Sequence, residues 1–208
     1  MDSVSSPARA ISRNARVAAV ALAASALFIL ILSHSALALA PLRLLSVALS
    51  AFAAWCFCDE MGLKKPLNRA GFVFFAIAAA TKVELVLGVE TGYQARYFLL
   101  YSAFLLVALL LWSAAFLHRQ RTLKVVGAVG VVASLAPIIA LVVGHVVVGA
   151  GAYLGLGALL AAGHGVGASD YGFVTLVERL FGLWGYAAAW LLWRGHIQAA
   201  PVEPRGAT

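Results

Sequence analysis

The chain has 208 residues, 63% of them hydrophobic and 11% charged, with a formal net charge of +7. A soluble domain of this length needs far more charge to cover its surface, so the composition excludes one and places the chain in the membrane class. The apolar residues fall in runs of about 20 rather than in alternating ten-residue segments, which selects helices over a barrel. The expected fold is all-α: a polytopic helix bundle of six transmembrane helices, multi-pass in the cell membrane.

Residues 1–16 read as a basic segment, with Arg9, Arg13 and Arg16 ahead of a first span at 17–40. A signal peptide is the competing reading, given Ala36, Ala38 and Ala40, but the apolar run is too long for an h-region and Pro41 blocks cleavage after Ala40. His34 lies late in this span, between Ser33 and Ser35. The second span is read at 42–58, closing on Cys56 and Cys58, whose spacing suits two small apolar residues better than a disulfide. After Lys64, Lys65 and Arg69 comes a third span at 70–88 carrying Lys82 and Glu84. The loop from Glu90 to Tyr97 reads as an interfacial turn or a cap over a cavity, and a fourth span follows at 97–117.

Arg119, Arg121 and Lys124, with His118, precede a fifth span at 125–149, in which His145 follows Gly144. The glycine-rich stretch 144–169, with His164 and Asp170, continues that span, folds back into the membrane, or forms a seventh span; a long or re-entrant fifth element is preferred. Its glycine pairs 151/155 and 163/167 have the spacing of close helix contacts. The sixth span, 173–193, holds Glu178 and Arg179 with Trp184, Trp190 and Trp193, and a tail follows from 195 to 208.

Eleven of the fifteen basic residues fall on one side of this arrangement, with Arg43 and Arg96 alone in the opposite loops. By the positive-inside rule both termini are cytoplasmic. The charge thus reports topology, and no nucleic-acid partner is expected; a homo-oligomer or a larger membrane complex is compatible with so short a chain.

His34, Lys82, Glu84, His145, Glu178 and Arg179 then all fall in the outer half of the bilayer. Ionisable groups at that depth are costly, so each is a functional candidate unless paired. Positions 82 and 84 are about 200° apart on a helix and cannot face one point. Pairing Glu84 with Arg179 and Lys82 with Glu178, across the third and sixth spans, is sufficient to account for all four. His34 and His145 lie at matching depth on parallel helices, the arrangement of axial ligands to a b-type haem. With Glu84 or Glu178 they also make a sparse nitrogen and oxygen set for a metal. No nucleophile motif is present.

In the last quarter of the chain, Tyr153-Leu154-Gly155-Leu156-Gly157, Glu178-Arg179 and Leu183-Trp184-Gly185 resemble the final hairpin of a six-span membrane family known as domain of unknown function 998. The chain departs from it by inserting Ala158 to Phe173. The resemblance implies a six-span fold and supplies no activity. Three functions remain open: binding or translocation of a small solute or ion at the outer polar cluster, a cytochrome b-like electron-transfer subunit with haem between spans one and five, and a non-catalytic scaffold subunit whose charges are structural pairs.

Overall fold

A computed structural model describes residues 12–32, 40–62, 65–87, 94–117, 119, 121–148 and 168–197; within these, the side chains of 32, 40, 94–99, 140–148 and 168–172 are left undescribed. Six helices make up the described residues, with no strand among them: α1 (Arg13–Leu32), α2 (Ala40–Met61), α3 (Pro66–Leu87), α4 (Gln94–Leu117), α5 (Arg121–Val148) and α6 (Ala168–Trp193). Helices α1 to α5 each contain a segment long and apolar enough to cross a membrane. Helix α6 is as long, but Glu178, Arg179, Tyr186 and three tryptophans lower its hydropathy.

The ends of these helices follow local chemistry. The first begins four residues earlier than the sequence reading has it, because Ser12 caps it: the Ser12 Oγ accepts a hydrogen bond from the Ala15 amide at 3.0 Å. Ala40, placed above in the first span, belongs to α2, where Pro41 takes the first-turn position that needs no amide donor. Gly62 stops α2 with a φ of 86° and Gly195 stops α6 with a φ of 70°. At the second of these the amides of Gly195 and His196 bond back to Leu192 and Leu191, a left-handed closure that favours glycine. Helix α5 runs through Val148, covering the fifth span; the rest of the glycine-rich stretch and its glycine pairs lie outside the described residues up to Ala168.

Each helix from α1 to α5 packs on the next, and α6 packs on α1, α4 and α5. Its side chains also reach the remaining two, through Phe57 of α2 against Trp184 and Phe75 of α3 against Phe181. Thus α6 touches all five other helices. That position explains how Glu178 is accommodated, because a buried charge survives in an apolar bundle only where protein supplies a partner; the face of α6 with Leu183, Tyr186, Trp190 and Trp193 stays exposed.

The core between these helices is aromatic. Phe57, Phe75, Trp112, Phe116, Phe181 and Trp184 are buried, with neighbouring ring centroids 5.5 to 6.5 Å apart. Trp112 and Trp184 lie nearly parallel, 13° apart, and Phe116 continues the stack on Trp184. Pairs of this geometry add about 0.5–1.5 kcal/mol each beyond the area they bury.

At one end of the bundle gather Arg13, Arg16, Lys65, Arg69, Arg119, Arg121, Lys124 and Arg194. Asn68 braces the α2–α3 turn there by donating to the carbonyls of Met61 at 2.9 Å and Gly62 at 3.3 Å. The Arg119 guanidinium donates to the same Met61 carbonyl at 3.1 Å, tying the α4–α5 turn to the α2–α3 turn, and its partial burial lowers its pKa. Ser12 donates to Glu60 at 3.2 Å, which adds the start of α1 to this end.

Candidate functional site

Lys82 of α3, Tyr101 of α4 and Glu178 of α6 each stand 15 or 16 residues from the basic end of their helix, which is roughly 23 Å at 1.5 Å per residue. In a hydrocarbon layer of about 30 Å that places them well inside the far half. Equal depth brings them into contact. Lys82 forms an ion pair with Glu178 through Oε1. The Tyr101 hydroxyl donates to the same oxygen at 2.9 Å, and Lys82 Nζ donates to the Tyr101 oxygen at 3.3 Å while lying 5.2 Å from the ring centroid. A closed triangle results, in which one carboxylate oxygen takes two donors. The Glu178 side chain is 10% exposed and that of Lys82 20%, so both members of the pair are largely enclosed.

Beside the triad lies a partly open cleft with a cavity volume of about 20 Å³, room for about one water. Its walls are mostly apolar: Val47, Phe75, Ala78, Ala79, Leu105 and Phe181. Lys82 and Tyr101, with Ser46 and Ser50 of α2, supply its polar lining. Ser50 donates to the Ser46 carbonyl at 2.7 Å and pairs with Ser25 of α1 at 2.8 Å, so its single proton is already committed. On the basic side of the cleft, the aromatic core fills the space between α2, α3, α4 and α6.

Of the residues singled out by sequence, the structure joins Lys82 to Glu178, as drawn across the third and sixth spans. Glu84 is exposed, about 200° around α3 from Lys82, and does not line the cleft. Arg179 is half-buried on α6, next to Glu178 in sequence and turned about 100° from it. His34 lies outside the described residues, and His145 is placed on α5 in backbone only, so the haem and metal readings built on them are outside what is described. No group of three metal-ligating side chains occurs among the described residues. Cys56 and Cys58 are both free thiols, the second fully buried with its sulfur 3.9 Å from the Asn68 carbonyl.

Sequence reasoning did not find Tyr101, Ser46 or Ser50. Hydroxyl side chains inside apolar runs are common, and only the depth of Tyr101, equal to that of Lys82, carried a signal. Comparisons with family models, with curated proteins and with solved structures give no match to this chain.

Proposed function

We propose that this chain is a six-span protein of the cell membrane, with both termini in the cytoplasm, that binds or translocates a small solute at the Lys82–Tyr101–Glu178 triad. The observation that supports the reading is the triad itself, a hydrogen-bonded pair of opposite charges beside a cleft; with the basic end cytoplasmic, its distance along the helices puts it in the outer half of the bilayer. Intramembrane ionisable groups mark solute and ion pathways, and pockets that combine apolar walls with a few convergent polar groups are the usual form of a binding site. The basic end faces the cytoplasm in this reading. Helix α6 then supplies a sixth span, which accords with the resemblance of its Glu178-Arg179 and Leu183-Trp184-Gly185 segments to a six-span family. Because the aromatic core seals the cytoplasmic side, the solute enters from the outer half, and translocation requires that core to part.

A scaffold reading is favoured by one observation: the charges already satisfy each other. The two readings part on a single variant. Ala79 lines the cleft and takes no part in the triad's hydrogen bonds, so Ala79→Phe is expected to block the space without removing a charged partner. Purified protein is screened by thermal shift against a panel of small solutes. A solute that stabilises the wild type by several degrees and leaves Ala79→Phe unmoved supports the site; a panel with no such member, in cells where Ala79→Phe complements fully, leaves the scaffold.

A further inference from the structure

The cleft's own chemistry narrows the class of molecule it accepts, an argument that rests on the site reading above. Lys82 and Glu178 cancel, so the triad is neutral as it stands. An ion or an ionised acid entering beside it brings an uncompensated charge into a layer with little water to solvate it, which is strongly disfavoured. A neutral molecule brings none. Of the three N–H donors on the Lys82 ammonium, one goes to Glu178 and one to the Tyr101 oxygen, which leaves the third without a partner among the hydrogen bonds of the triad, on a residue that lines the cleft. Tyr101 gives its proton to Glu178, and Ser50 gives its proton to the Ser46 carbonyl, so neither offers a donor. The donors left among the cleft's lining residues are therefore Lys82 Nζ and the Ser46 hydroxyl.

Donors call for an oxygen acceptor. The cavity admits about one such atom, while the remaining walls are hydrocarbon and aromatic. Phe75 and Phe181, stacked 16° from parallel with centroids 5.7 Å apart, both line it and supply aromatic surface. We infer that the cleft takes an uncharged, lipid-dissolved molecule of the quinone class, edge-on, with one carbonyl oxygen between Lys82 and Ser46. The rest of the ring and its apolar tail stay among the lipid chains. A carbonyl accepts from both donors and adds no charge, whereas a fatty acid carboxylate accepts equally well and fails on charge.

The test uses purified full-length protein in detergent, with a short-chain ubiquinone as the uncharged probe and decanoate as the charged one. Binding is read as a concentration-dependent rise in the unfolding temperature. Ubiquinone is expected to raise it and decanoate to leave it unmoved. Ala79→Phe is expected to abolish the rise, and Ser46→Ala to weaken apparent affinity three- to tenfold; both variants retain Lys82 and Glu178, and a cooperative ligand-free unfolding transition shows that each is folded. Lys124→Ala, at the basic end, is expected to behave as the wild type. A rise with decanoate that Ala79→Phe abolishes keeps the site and overturns the uncharged class. A ubiquinone effect that survives Ala79→Phe, or no effect of ubiquinone on the wild type, overturns the inference; a water-soluble solute that then still depends on Ala79 leaves the site reading standing, and its absence removes that as well.

Discussion

Replacing Glu178 by leucine strands the Lys82 ammonium in the bilayer, and breaking one side of a buried pair costs about 3–5 kcal/mol. Replacing both charges together, as Lys82→Met with Glu178→Leu, removes the cause of that cost. The double variant is therefore expected to be markedly more stable than Glu178→Leu alone, by thermal unfolding in detergent followed through tryptophan fluorescence. Equal losses in the two proteins would mean that the pair is uncoupled. This contact was legible from the sequence because two quantities agree: the depth of each residue along its own span, and the expense of leaving either charge unpaired. Glu84 met the first condition and not the second, since a residue near a helix end has the opposite face and the interface open to it. Tyr101 left only its depth as a signal, because a phenol carries no charge and many partners other than a carboxylate can satisfy its hydroxyl.

At the scale of the helix, the closest approaches lie where no motif announces them. The sequence points to glycine pairs between 151 and 167, which fall outside the described residues, yet α4 and α5 meet at Gly127 and Gly130. A Cβ on Gly130 would stand 2.1 Å from the Ser113 hydroxyl and 2.8 Å from the Trp184 indole. Ser113 can turn away, whereas Trp184 is held between Trp112 and Phe116. Gly130→Ala is expected to cost about 1–3 kcal/mol, the usual range for overpacking, and Ser113→Ala in the same chain is expected to restore only part of it. Full recovery of the unfolding temperature in that double variant would show that Trp184 is free to shift. These glycines were hidden because the contact is decided by the partner's shape and not by spacing along α5. The contacts of α6 were more legible, since Glu178 in an otherwise apolar run demands a partner, while a separate face with Leu183, Tyr186, Trp190 and Trp193 stays exposed.

For the whole molecule, the class was readable from composition and the helices from the length of the apolar runs, because lipid leaves few other solutions for a backbone. What composition does not encode is which helix contacts all the others, and that placement makes the site. Membrane orientation has a direct check: single cysteines at Lys65 and Lys124, in chains whose Cys56 and Cys58 are replaced, are expected to react with an impermeant maleimide only after the cells are opened. Labelling of intact cells would invert the bundle and move the triad to the cytoplasmic half. The near-parallel Trp112 and Trp184 rings, on α4 and α6 with centroids 5.9 Å apart, have one more consequence. Two indoles this close couple their electronic transitions, so the protein carries an optical gauge of the distance between the two helices that also hold Tyr101 and Glu178. Any ligand or voltage that parts the aromatic core must change that signal in near-ultraviolet circular dichroism, with no label attached.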